Sequence, residues 1–204
     1  FYRGSYGAMS VYRTATGTIY GSRQALDPVT GDIAYAYMAS TWNPLWRLSD
    51  ATGTSYASGG LDSGGRSSSR VGSGVTVAYG PDGTLYAAWH DAVEGDIKFA
   101  TYDAALASWT TETVSSPAGY YPHDLDLTID SVGNAHIVYA MNYGTNGYYP
   151  FTYATNSSGS WALTSLATAA DHPTFCEIQV DSMDMVHIFG ILDTSKYLMH
   201  YYIY

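Results

Sequence analysis

An all-β fold, a β-propeller of four-stranded antiparallel blades, is predicted by a recurring turn-and-strand phrase, a second marker in phase with it, and a composition that favours strands. The phrase is clearest at Asp130-Ser131-Val132-Gly133-Asn134-Ala135-His136-Ile137-Val138-Tyr139, and degenerate copies at a period of about fifty residues stand at Asp27–Tyr37, Gly80–Trp89 and Asp181–Phe189. The second marker, a small residue followed by Ser and an aromatic, stands at Gly4-Ser5-Tyr6, Thr54-Ser55-Tyr56, Ala107-Ser108-Trp109 and Gly159-Ser160-Trp161. Charged residues make up 13% of the chain, and Gly, Ser, Thr and Tyr outweigh the helix-favouring Glu, Lys and Leu.

The elements follow in order. Residues 4–13 read as a strand, residues 14–22 as a loop carrying Tyr20, and residues 23–26 as the start of a new strand. After the turn at 27–31 come strands at 33–38 and 45–48, separated by a loop through Trp42, Asn43 and Pro44. Tyr56 opens an outer strand, and 59–73 is a Gly/Ser/Arg loop with the character of an insertion. Strands at 75–79, 85–90, 97–101 and 109–114 repeat the pattern, as do 125–129, 135–140, 151–154 and 161–166. The last repeat has 175–180, 185–191 and 197–203. One domain over 1–204 is expected, with repeats at about 23–56, 74–114, 124–166 and 174–204. Residues 4–13 are expected to supply the missing outer strand of the last blade and close a ring of four, which leaves no open partial blade. Part of a larger propeller, or two chains completing an eight-bladed ring, are the alternatives. A chain that opens on Phe1 reads as a processed or partial product.

Lys plus Arg total 8 against 18 Asp plus Glu, and the net charge of -10 argues against nucleic acid and anionic lipid as partners. No apolar run reaches the length of a membrane span, and no stretch has a signal-peptide pattern, so no membrane insertion is expected. The single cysteine, Cys176, lies in an apolar alternation with Ile178 and Val180, which predicts a buried thiol and no intrachain disulfide.

The stretch Leu127–Tyr139, with Tyr153-Ala154-Thr155 and Gly159-Ser160-Trp161 after it, resembles the tandem propeller-type repeats of bacterial and archaeal secreted or surface proteins. Asp96–Thr101 and Trp109–Val114 are similar to the later part of that repeat. The resemblance covers residues 80–190 well and the first repeat poorly, where Ala34 stands at the position of His136; Met183-Asp184 replaces the Gly-Asn turn. It implies a propeller in an extracellular setting, secreted or at the cell surface, and brings no catalytic residues. The chain also resembles sialidase-type Asp-box propellers in shape, but Asp50 is out of place for that motif.

In such a ring the tight Asp-x-x-Gly turns lie on one face and the longer connections on the other. The long-loop face is expected to gather Tyr20, Trp42, Asn43, His90, Asp91, Tyr120, Tyr121, His123, Asn142, Tyr143, Tyr148, Tyr149, Asp171, His172 and Asp193. Aromatics beside amides and carboxylates suit sugars, whose apolar faces stack on Tyr or Trp while their hydroxyls form hydrogen bonds. His90-Asp91, His123-Asp124 and Asp171-His172 pair imidazole with carboxylate, but neighbours on an extended chain point to opposite sides and assemble no site by themselves. His136 and His187 share one repeat position and are expected to fill equivalent sites between blades. Counting back from the repeat turn places Arg23, Thr76, Asp126 and Glu177 at one level of the innermost strands, with Ala25, Ala78, Thr128 and Gln179 two residues on. Asp126 and Glu177 could hold Ca²⁺ near the axis; an ion pair from Arg23 settling both carboxylates is the preferred reading, and otherwise no cofactor is expected. The sequon Asn156-Ser157-Ser158 falls in a turn.

These readings favour a non-enzymatic extracellular module that binds a glycan or a surface protein. A structural, self-associating module of a surface polymer, or part of a larger repeat protein, comes second. A polysaccharide lyase or hydrolase comes third.

Overall fold

The computed structural model describes residues 19–39, 43–61, 74–91, 94–116, 121–142, 151–167, 173–192 and 197–203. These form four antiparallel sheets, each a blade of a β-propeller. Blade 1 is β1 (Ile19–Leu26), β2 (Ile33–Ala39), β3 (Pro44–Ser49) and β4 (Ser55–Gly60). Blade 2 is β5 (Val75–Tyr79), β6 (Leu85–Asp91), β7 (Asp96–Asp103) and β8 (Ser108–Ser115). Blade 3 is β9 (Tyr121–Ile129), β10 (Ala135–Asn142), β11 (Phe151–Thr155) and β12 (Ala162–Ala167). Blade 4 contributes β13 (Pro173–Val180), β14 (Val186–Leu192) and β15 (Tyr197–Ile203). The expected closing strand, 4–13, lies outside the described residues. Several boundaries move: β1 begins before Arg23, β9 begins at Tyr121 rather than Leu125, and Gly59 and Gly60, expected in a loop, pair with Trp46 and Leu45 as the end of β4.

The recurrent turns are held by their own aspartates. Asp130 Oδ1 accepts from the backbone N–H of Val132 at 3.1 Å and of Asn134 at 2.7 Å, and Asp181 Oδ1 does the same for Met183 and Met185 at 2.8 and 3.0 Å. Gly133 sits at φ +92°, a conformation glycine adopts without strain. In the last repeat Asp184 occupies the corresponding place at φ 59°, and its carboxylate accepts from the N–H and hydroxyl of Ser131 in blade 3. Asp is one of the few residues that tolerate this region, and the link to the neighbouring turn offsets the strain.

Because side chains alternate along a strand, each blade has two faces, and the inner blades bury both. Ala34, Ala36 and Met38 of β2 pack toward Leu85, Ala87 and Trp89 of β6. Ala88 and Phe99 of blade 2 pack toward Ala135, Ile137 and Tyr139 of β10, and Val138, Ala140, Phe151 and Tyr153 of blade 3 pack toward Val186 and Ile188 of β14. Three buried clusters thus join four blades, and no such cluster joins blade 4 to blade 1 among the described residues. In blades 2 and 3 the second marker acquires a purpose: its aromatic reaches back to the preceding blade. Trp109 packs edge-on to Trp46 at 5.6 Å, and Trp161 edge-on to Phe99 at 5.3 Å. Such pairs add about 0.5–1.5 kcal/mol beyond the area they bury. Cys176 is fully buried, with its thiol 3.7 Å from the Val138 carbonyl, and burial pushes its pKa well up.

His136 is buried, with Nδ1 2.7 Å from Tyr153 Oη and Nε2 3.3 Å from Asp130 Oδ2. Burial lowers its pKa below the ordinary value of 6.5, outweighing the opposing pull of Asp130. The unfolded chain therefore binds a proton that the folded chain resists as pH falls below about 6.5. Stability at His136 is full above that value and is lost on acidification through the window between the two pKa values. Asp130 adds to this at lower pH: burial pushes it up, but hydrogen bonds from Asn134 and His136 leave it below 3.8. Urea unfolding from pH 7.5 to 5 is expected to show falling stability in the wild type and a flatter profile in His136→Gln; parallel profiles would refute the assignment.

Candidate binding site

The tight-turn face carries a cleft between blades 1 and 2, assembled from turn residues of separate repeats. It has a volume of about 700 Å³ and is lined by Asp27, Thr30 and Asp32 after β1, Tyr56 of β4, Tyr79 of β5, Asp82 and Thr84 before β6, and Tyr102 and Asp103 of β7. This size is in the range of small-ligand sites. The turns come together because Gly83 has no side chain: a Cβ there would lie 3.3 Å from Asp27 Oδ1, and its φ of +82° suits glycine.

Each wall is fixed by local bonds. Asp27 Oδ1 accepts from Val29 N–H at 2.8 Å, and its Oδ2 from the Thr30 hydroxyl at 2.7 Å. Asp82 accepts from the N–H and hydroxyl of Thr84, both at 2.9 Å, and these bonds hold its carboxyl below the usual range. Asp103 Oδ1 accepts from Ala105 and Leu106 N–H at 2.9 and 3.0 Å. Tyr102 leans on Trp46 and Trp109, with ring centroids 5.0 and 5.1 Å away. Tyr56 donates to Asp32 Oδ2 at 2.8 Å while its ring stays exposed. Burial, with that bond, raises the Tyr56 phenol; burial together with the charges of Asp27 and Asp32 pushes Tyr79 up to about 12. Both phenols therefore keep their protons; that of Tyr56 goes to Asp32, which leaves its oxygen to accept, and Tyr79 can donate beside carboxylates that accept. Among the described residues, no Lys or Arg lines the cleft.

A second cavity, of about 500 Å³, lies at the axis, and all eight residues expected at that level line it. The ion pairing differs from expectation. Arg23 does not settle Glu177; its Nη2 lies 3.1 Å from Asp124 Oδ1 and its Nε 3.9 Å from Asp126 Oδ1. Asp124 also accepts from the backbone N–H groups of Leu125 and Cys176, each at 3.0 Å. Asp126 accepts from the Thr76 hydroxyl at 3.2 Å and Ile178 N–H at 3.0 Å, so it links blade 3 to blades 1, 2 and 4. Burial raises its pKa against the pull of the Ile178 bond and Arg23. Glu177 is exposed on the cavity wall. Both Asp126 oxygens accept hydrogen bonds, Glu177 lines the same cavity, and no group of three or more ligating side chains forms among the described residues.

On the long-loop face, His90 and Asp91 are buried at the end of β6, where Asp91 Oδ1 caps the following turn through Glu94 N–H at 3.1 Å. The two residues are only 4% and 7% exposed. Asn43 is half-buried just before β3. The backbones of Tyr121 and Asn142 are register partners at the ends of β9 and β10, and His123 falls at the adjacent irregularity. Tyr20 belongs to β1. Trp42, Tyr120, Tyr143, Tyr148, Tyr149, Asp171, His172 and Asp193 lie outside the described residues. The cleft tyrosines escape sequence reasoning because each of their aspartate neighbours is explained locally as a turn cap. The available signal is a tyrosine beside a turn in three places of two successive repeats, at Tyr56, Tyr79 and Tyr102.

No protein-family model and no curated protein matches the chain. Its shape matches a lectin, BP39L from Burkholderia pseudomallei, with a TM-score of 0.62 at 10% identity over 94% of this chain and 55% of the lectin. It also matches the six-bladed fucose-recognising lectin of Aleuria aurantia, with a TM-score of 0.56 at 18% identity over 89% of this chain and 56% of that one. A polysaccharide lyase, ulvan lyase bound to -[GlcA(1-4)Rha3S]-, gives a TM-score of 0.55 at 9% identity over 86% and 53%. The chain thus spans a little over half the length of these structures. At such identities the likeness is one of fold: four antiparallel blades arranged as a β-propeller.

Proposed function

We propose that this chain is an extracellular, non-enzymatic module that binds neutral glycans. The observation that carries the reading is the cleft between blades 1 and 2, where three tyrosines stand among carboxylates and hydroxyls. Sugar hydroxyls donate to carboxylates and accept from phenols, and the apolar ring face stacks on an aromatic. A cleft whose described lining has four aspartates and no basic residue disfavours uronates and sulfated sugars, because burying like charges together is costly. Lectins among the propellers of this shape support the reading, and so does the resemblance to repeats of secreted and surface proteins. The aromatic residues that the sequence assigns to the long-loop face are a second candidate for contact with a glycan or a surface protein.

A glycan array with neutral and acidic members, followed by titration calorimetry, tests this. Neutral oligosaccharides are expected to be retained and acidic ones not. Tyr56→Ala is expected to weaken binding about tenfold, roughly 1.4 kcal/mol, with folding intact because the ring is exposed. Loss confined to Tyr120, Tyr121, Tyr148 or Tyr149→Ala would move the site to the long-loop face. An array blank at high protein concentration would end the proposal, and release of products from a polysaccharide panel would replace it with an enzyme.

A further inference from the structure

The three buried interfaces reuse the same strand positions, which defines a forward and a rear face for every blade. In blade 3 the forward face holds two register pairs, Val138 with Tyr153 and Ala140 with Phe151. The same pairs in blade 4 are Phe189 with His200 and Ile191 with Leu198. In blade 3 all four are covered by blade 4, with 0–5% of their surface exposed. In blade 4 the pattern reverses: Leu198 is 69% exposed, Ile191 40%, and neighbouring Tyr202 56%. Single exposed apolar residues are ordinary, but a row of them on one sheet face marks an interaction surface.

His200 strengthens the case. It pairs with Phe189 as Trp46 pairs with Ala36 and Phe99 with Ala88, and those two positions receive Trp109 and Trp161 from the following blade. Phe189 is stacked on the His200 ring at 4.4 Å and 6°, which holds it flat. The complementary rear face is on blade 1. There Ile33, Tyr35 and Tyr37 occupy the positions at which blade 2 buries Leu85, Ala87 and Trp89, yet they are only half-buried.

We propose that the forward face of blade 4 docks the rear face of blade 1 of a second copy, so that copies associate head to tail. Continuity with the chain's own interfaces selects this occupant, since each of the three joins a forward face to a rear face of the same repeat. Such an interface is heterologous: it uses two different surfaces, and it gives a closed ring or an open string according to the rotation at each joint.

Light scattering on the 204-residue chain over a range of concentrations tests this. The expected mass is two or more times 22.0 kDa. Leu198→Asp and Tyr35→Asp, which spoil opposite faces, are each expected to run as monomers with native near-UV circular dichroism. Mixed, the two are expected to form a complex of one copy each, because one intact forward face and one intact rear face remain. A wild type that stays monomeric up to roughly 0.1 mM, a hundredfold above a micromolar Kd, overturns the proposal. So does association that survives both substitutions, or two monomeric, folded variants that fail to complement.

Discussion

Phe151→Ala is expected to lower stability by about 3–5 kcal/mol, the cost of emptying a fully buried aromatic site. The ring sits where blade 3 meets blade 4, and it fits because Gly190 of β14 lies over it: a Cβ on Gly190 would stand 2.9 Å from two ring carbons. Gly190→Ala is therefore expected to cost about 1–3 kcal/mol by overpacking. The two effects share one volume, so they should not add. Phe151→Leu with Gly190→Ala is expected to be less unstable than the sum of its single changes. Urea unfolding of the four proteins measures the coupling; strict additivity would show that the glycine is not there to admit the ring.

Asp124→Ala should cost about 3 kcal/mol, because it strands partners on two other blades. The fully buried Cys176 would keep a backbone N–H with no acceptor at its present position, and Arg23 would retain only the 3.9 Å approach to Asp126. Asp124→Asn keeps an acceptor oxygen and is expected to recover part of the loss. Glu177→Ala, at an exposed position, should change stability by no more than about 0.5 kcal/mol. Thermal unfolding of the three variants decides it. A costly Glu177→Ala beside a silent Asp124→Ala would restore the pairing expected from the sequence.

That comparison shows how a repeat is read correctly and a contact within it is not. Arg23, Thr76, Asp126 and Glu177 do stand at one level, since strand periodicity preserves register from repeat to repeat. Which carboxylate the guanidinium meets depends on distances across the axis, and those come from the angle between blades. Asp124 was legible only as half of a His-Asp pair, because nothing local reveals that its oxygens reach the backbone of β13. His90 and Asp91 have the composition of a binding loop, and their burial at the end of β6 is not legible from the residues beside them.

Hydrophobic alternation, Asp-x-x-Gly turns and two markers in phase determined by themselves that the chain folds into antiparallel blades of one propeller, because those signals act within a strand or a hairpin. They also determined that Cys176 is buried and that His136 and His187 are equivalent, each against the aspartate six residues before it, although the bonds these histidines make lie within a blade rather than between blades as expected. Only the tertiary structure decided which faces stay open, which carboxylate Arg23 holds, and that Tyr56, Tyr79 and Tyr102 meet in one cleft. These outcomes depend on packing between elements roughly a repeat apart, where the energy of each contact is set by the placement of whole blades rather than by the residues that flank it in the chain.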